Sequence, residues 1–126
     1  MQRIMKKSKI HSAIITGLEL YYEGSVTIDV DILSAANILP NEQIQVVNIN
    51  NGNRFVSYAI AGEKGSGIIE LNGPAARLGS LGDKIIVISY ANYDDNEMIN
   101  YSPKVIILGE KNKIISSWTN ICTKNI

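Results

Sequence analysis

A small, mainly-β barrel is the fold this sequence predicts, and three observations predict it. Roughly six to eight short runs rich in Ile, Val and Tyr carry strand signals. They are punctuated by Gly, Asn and Pro turns that leave room only for short helices. The chain of 126 residues, 45% apolar, is one domain's worth of core. So many short strands in one domain would expose sheet edges, and closure into a barrel removes them.

The elements follow in order. Lys9 to Thr16 is Ile-rich and loosely alternating. Ser25 to Val30 alternates cleanly, with Val26, Ile28 and Val30 on one face and Ser25, Thr27 and Asp29 on the other. A short helix follows, with Asp31 as its cap and Pro40 ending the segment. Gln43–Asn48 and Arg54–Ala61 are extended runs around Asn51-Gly52, an Asn-Gly pair that tolerates positive φ and signals a hairpin. Gly62–Gly67 is a turn, Ile68–Leu71 a short strand, and Leu81-Gly82-Asp83 a turn. Lys84–Tyr90 is apolar throughout, the pattern of a strand buried on both faces. Asp94–Tyr101 holds a helical turn, Pro103–Leu108 is the last strand, and the tail from Lys111 is expected to be partly loose.

Composition excludes several function classes. Lys plus Arg equal Asp plus Glu at 12 each, which argues against a nucleic-acid platform. One cysteine, Cys122, and one histidine, His11, cannot build a Cys-based or multi-His metal site. The basic start, Met1 to Lys9, is followed by no long apolar run, so neither a signal peptide nor a membrane span is expected. The absence of a disulfide framework agrees with the cytoplasm.

Hydrolase elbows, zinc-protease helices and P-loops are missing from the sequence. Gly65-Ser66-Gly67 is glycine-rich but lacks the following Lys and helix of a phosphate cradle, and reads as an ordinary turn. Tyr21-Tyr22-Glu23-Gly24-Ser25 is more unusual, because a Gly-Ser pair sits where a loop enters a strand. Glycine leaves its carbonyl open and tolerates strained backbone. The Ser25 hydroxyl can reach the Gly24 carbonyl, and attack there would shift the acyl group from nitrogen to oxygen. Alone, a Gly-Ser pair is usually a plain turn.

The surroundings add to it. Lys9-Ile10-His11, Leu20 to Ser25, Asn51-Gly52-Asn53-Arg54-Phe55, Tyr58-Ala59-Ile60-Ala61, Asn72-Gly73-Pro74-Ala75-Ala76 and Gly82-Asp83 occur in one order. In these motifs, from Met1 to about Leu108, the chain resembles the pyruvoyl-dependent aspartate 1-decarboxylases, which make β-alanine for pantothenate. The resemblance implies a double-psi β-barrel with short helices, a single domain over residues 1–126, a homotetramer and a cytoplasmic enzyme. It also implies a proenzyme that cleaves itself between Gly24 and Ser25 into a β chain, residues 1–24, and an α chain, residues 25–126. Residue 25 would pass through dehydroalanine and lose ammonia to become a covalent pyruvoyl group. Decarboxylating an amino acid needs an electron sink, and a protein-bound ketone can supply one through a Schiff base with the substrate amine.

Roles then follow position by position. Ser25 resembles the cleavage nucleophile and pyruvoyl precursor. Tyr58 resembles the proton donor to Cα, since a phenol keeps its proton at neutral pH; on pattern alone it is a barrel-surface aromatic. Arg54 resembles the anchor for a substrate carboxylate, with Lys9 as a second cation; on pattern alone both are solvated charges. Gly73, Pro74 and Ala75 resemble a substrate-binding loop, with Pro74 where Ala is common. Ser57 stands where Thr is common and would hydrogen-bond the Gly24 carbonyl. Asn72 and Tyr22 support the site, His11 has an orienting role, and Val47 replaces an aromatic found in some members. The substrate is L-aspartate; nucleic acid, membrane and metal are not expected. An uncleaved, non-enzymatic barrel would share the same composition, and the mass of the purified protein separates the two.

Overall fold

The computed structural model describes residues 1–119, so Cys122 and the end of the tail lie outside the described residues. Among the described residues, nine strands form one mixed sheet: β1 (Arg3–Ile14), β2 (Gly17–Glu19), β3 (Ser25–Asp29), β4 (Gln43–Asn48), β5 (Arg54–Gly62), β6 (Ile69–Asn72), β7 (Lys84–Tyr93), β8 (Lys104–Leu108) and β9 (Ile114–Thr119). Helices α1 (Val30–Ala35) and α2 (Asp95–Met98) are short, as are the 3-10 turns Gly73–Arg77 and Glu110–Asn112.

The sheet order is β2-β6-β3-β5-β4-β7-β1-β8-β9. β2 begins one end, yet only Ile15 and Thr16 separate it from β1. Ile15 N–H donates to the Asp83 carbonyl beside β7, and Thr16 N–H to the Ile69 carbonyl of β6. One continuous stretch of chain thus closes the ring β6-β3-β5-β4-β7 into a barrel, with β8 and β9 extending outside it. Two parallel pairings, β2 with β6 and β3 with β5, interrupt the otherwise antiparallel ring. This is the mainly-β, double-psi arrangement expected. Ile10, Ile28, Ile44, Ile69, Ile85 and Val87 fill its interior.

Several expectations are corrected. The cap of α1 is Asp29, not Asp31: its carboxylate accepts the Asp31 N–H at 2.8 Å. The same carboxylate accepts from Gly65 N–H at 3.1 Å and Gly67 N–H at 2.8 Å. The amides of the Gly-Ser-Gly turn that would cradle a phosphate therefore hold an internal carboxylate. Helix α1 stops at Asn37, which takes φ 57, before Pro40 is reached. Ser25 and Asp29, on the face expected to be polar, are buried: the Asn72 side chain lies against Ser25, and the Gly65–Gly67 turn wraps Asp29.

β7 alternates between buried and half-buried positions rather than being buried on both faces, since its outer side carries no second layer. β8 is not the last strand: β9 pairs with it antiparallel, from Lys104 opposite Thr119 to Leu108 opposite Ile114. The tail from Lys111 is therefore ordered to residue 119. Asn112 pins its start, donating to the Ile14 and Gly67 carbonyls and accepting the Ile14 N–H. Among the described residues no helix is long and apolar enough to cross a membrane, and no cluster of His, Cys, Asp and Glu could hold a metal.

Candidate active site

The Gly24-Ser25 bond lies where an exposed loop enters β3. Gly24 is exposed and Ser25 fully buried. The Ser25 hydroxyl donates to the Glu23 carbonyl at 3.1 Å. Opposite it on β6 is Asn72, in register with Ser25. Asn72 Nδ2 donates to Ser25 Oγ at 3.0 Å and to Thr27 Oγ1 at 2.8 Å, while its Oδ1 is buried without a partner.

The backbone of Gly24 is not in the positive-φ region, so the strained conformations that glycine tolerates are not used at this residue. A Cβ there would lie 3.6 Å from Pro74 Cδ, an ordinary contact. The glycine that the loop requires is Gly73, with φ +66. A Cβ on Gly73 would stand 2.8 Å from the Tyr22 carbonyl oxygen and 2.9 Å from Gly24 Cα and N. Gly73 therefore lets the 3-10 turn lie directly against the Tyr22–Gly24 loop.

A cleft of about 370 Å³ opens beside this junction. Gly24, Ser57, Tyr58, Pro74 and Ala75 line it, with Phe55 and Leu78 as apolar walls. Ser57 shares the cleft with Gly24 but makes no hydrogen bond to its carbonyl, so the expected contact is absent. Its side chain is on the inward side of β5 with Phe55, while Arg54 and Tyr58 share the outer side. Tyr58 reaches the cleft, whereas Arg54, at the first position of β5 opposite Val47, is exposed and outside its lining. Tyr22 is exposed on the loop.

Sequence reasoning missed what sets the walls of this cleft. Asn48, Asn51 and Asn53 all donate to the Leu78 carbonyl, at 3.3, 3.0 and 3.2 Å. Asn48 Nδ2 also donates to Asp83 Oδ2 at 3.0 Å, and Ser80 N–H to the same oxygen at 2.9 Å. The Asn48 hydrogen bond, then that from Ser80, hold the Asp83 carboxyl below its ordinary range. The Asn-Gly hairpin before Arg54 is thereby tied to the end of the Gly73–Arg77 turn. The motifs Asn51-Gly52-Asn53 and Gly82-Asp83 mark this clamp.

Lys9 and His11 lie elsewhere. They line a second cleft, of about 220 Å³, with Val105, Ile107 and Trp118. β1 is separated from β5 by β4 and β7 in the sheet. Burial, then the charges of Lys9 and Lys84, lower the His11 pKa and favour the neutral imidazole. One chain thus gathers Gly24, Ser25, Ser57, Tyr58, Asn72, Gly73, Pro74 and Ala75, and leaves Lys9 and His11 in a separate group.

The family model described as aspartate decarboxylase matches residues 1–115. A protein of Thermoanaerobacter pseudethanolicus named aspartate 1-decarboxylase is 60% identical, covering 92% of this chain and 99% of its own. Proteins of that name from Syntrophobacter fumaroxidans and Burkholderia pseudomallei are each 52% identical, over 97% and 99% of this chain and 98% of their own. A rationally designed protein, mkDPBB_sym_86, aligns over 63% of this chain and 91% of its own, at TM-score 0.46 and 17% identity.

Proposed function

The chain belongs to the aspartate decarboxylase family, and from that premise we propose that it converts L-aspartate to β-alanine and carbon dioxide with a pyruvoyl group made from its own Ser25. The observation that carries the site reading is the buried Ser25 hydroxyl directly after an exposed Gly24, at the mouth of a cleft.

Cleavage requires nothing beyond the chain and water. Ser25 Oγ bonds to the Gly24 carbonyl carbon, the C–N bond breaks, and the hydroxyl proton ends on the freed nitrogen. The resulting ester eliminates the Gly24 carboxylate with the Cα proton of residue 25. Water then replaces the nitrogen, which leaves as ammonia. The β chain is 1–24 and the α chain 25–126.

The surroundings fit the group that results. Asn72 Nδ2 already reaches the Ser25 oxygen, and Asn72 Oδ1 is a buried acceptor without a partner. When formed, the pyruvoyl ketone supplies the electron sink that decarboxylation needs. The chain's own residues do the rest. Phe55, Pro74, Ala75 and Leu78 exclude water from one side of the cleft. The Tyr58 hydroxyl holds the proton for Cα. Ser57 supplies a hydroxyl beside Gly24 that turns to its carbonyl during cleavage. Arg54 and Lys9 are cations for a dicarboxylate. Lys9 in a separate cleft of the same chain, and Arg54 outside the lining of the Tyr58 cleft, support an assembly, a homotetramer, in which neighbours complete each site. The enzyme works in the cytoplasm on its small-molecule substrate.

Ser25→Ala tests the reading. Intact mass should show one full-length chain without decarboxylase activity, and wild type two chains with it. A Ser25→Ala chain that still splits at this bond would overturn the assignment.

A further inference from the structure

We propose that Thr27 is a positioning residue for self-cleavage: its hydroxyl holds the nitrogen end of the Asn72 amide, rather than the oxygen end, against Ser25. The inference rests on the self-cleavage reading above and adds a residue to it.

Asn72 is 1% exposed, and both of its side-chain hydrogen bonds leave from Nδ2, one to Ser25 Oγ and one to Thr27 Oγ1. Its Oδ1 has no partner. The two hydroxyls of β3, two residues apart on one face, are therefore what fixes the amide. Counting unpaired groups shows how. As found, one acceptor is orphaned. With the amide turned over, Oδ1 would meet the hydroxyls and both N–H groups would be orphaned instead. The observed orientation wins by one group. Without the Thr27 hydroxyl, each orientation orphans two groups of the amide, and only the bond from the Ser25 hydroxyl to the Glu23 carbonyl still opposes the turn.

The orientation matters to the chemistry. As the Ser25 hydroxyl gives up its proton, negative charge grows on Oγ before the attack passes it to the Gly24 carbonyl oxygen. An N–H directed at Oγ stabilises the charge. The amide oxygen in the same position would repel it and would bind the hydroxyl proton. The step needs no co-reactant, since the Oγ–C bond forms, the C–N bond breaks and the proton moves to nitrogen. Thr27 is not among the residues lining the Gly24–Tyr58 cleft, so it acts through Asn72 alone.

The test follows cleavage of wild type, Thr27→Val, Thr27→Ala, Thr27→Ser and Ser25→Ala over time by intact mass, with thermal melts and the kinetics of whatever material matures. Thr27→Val keeps shape and branching and should cleave about tenfold slower or worse. Thr27→Ala, which adds no apolar bulk, should do the same if the valine variant fails to fold. Thr27→Ser should return to within about twofold of wild type. A folded apolar variant that cleaves at the wild-type rate overturns the proposal, and so does a Thr27→Ser as slow as Thr27→Val, which would assign the effect to packing. Wild type that stays full length would instead overturn the self-cleavage reading itself.

Discussion

Gly73 and Tyr22 touch through backbone: a single added methyl on Gly73 would stand 2.8 Å from the Tyr22 carbonyl oxygen. Gly73 also holds φ +66, a region costing an L-residue about 1–2 kcal/mol. Gly73→Ala should push the Tyr22–Gly24 loop outward and leave the barrel intact. The expected outcome is a melting temperature lower by roughly 5 °C and a larger uncleaved fraction by intact mass. Unchanged cleavage would show that the loop's position is not what prepares the bond.

Arg54→Ala should cleave normally, since Arg54 is exposed and outside the lining of the Gly24 cleft. If it anchors a carboxylate, the lost charge-assisted pair is worth about 2–4 kcal/mol, or about 30- to 1000-fold in kcat/KM for aspartate. Steady-state kinetics on mature protein checks this, and a normal value would transfer the anchor to Lys9.

Tyr58→Phe removes one hydroxyl from the cleft and keeps the ring. It should mature and bind aspartate, with β-alanine production falling by on the order of 100-fold, the usual worth of a positioned general acid. Turnover at the wild-type rate would give the proton to water.

Assembly is the condition for bringing Lys9 and His11 to the Tyr58 cleft, because one chain keeps the two groups in separate clefts. Light scattering of active material should give four chains' mass. An active monomer would remove Lys9 and His11 from the site.

Glu42 predicts an acid limit to stability. Burial raises its pKa, but hydrogen bonds from Lys7, Ser89 and the Leu39 N–H, with the charge of Lys7, outweigh that and leave it lowered. Lys7 Nζ is 2.7 Å from Glu42 Oε2. A folded-state pKa below the unfolded one gives stability that is complete above the ordinary carboxylate value of 4.5 and lost as pH falls through the folded value. His11, also lowered from 6.5, adds a loss of the same sign beginning nearer neutrality. Melting temperature should fall on acidification. Glu42→Gln should flatten the part below about pH 4.5 and leave the part near neutrality. An unaltered acid limb would take Glu42 out of the linkage.

The strands with a simple physical signature were legible in the sequence. β4 begins and ends where its alternation and the Asn-Gly turn require, and β5 runs one residue further than read. The caps were not legible, because Asp29 and Asp31 are equally good capping residues on paper. Only the turn at Gly65–Gly67, brought close by the fold, selects Asp29. β9 was missed for a related reason: its Ser and Trp residues have weak alternation, and pairing with β8 rather than propensity makes it a strand. Of the residues that the motifs single out, Gly24, Tyr58 and Pro74 line one cleft, and Ser25 follows Gly24 at its mouth. Thr27 and the Leu78 carbonyl were not legible. Thr27 looks like any β-branched strand residue, and a backbone carbonyl has no letter in the sequence.

β1 runs between β7 and β8, and with β2 it closes the barrel against β6. A cut between Gly24 and Ser25 therefore detaches an interior strand rather than a tail. It carries away Ile10, Ala13 and Ile15, all fully buried or nearly so. Once cut, the native state is a non-covalent complex of two polypeptides. Unfolding releases them separately, and recovery becomes a second-order encounter that slows with dilution. An uncut chain can refold as one molecule, whereas a cut one, diluted from denaturant, would first have to find its missing strand. Its working lifetime is then set by the rate at which it opens rather than by an equilibrium between folded and unfolded chains.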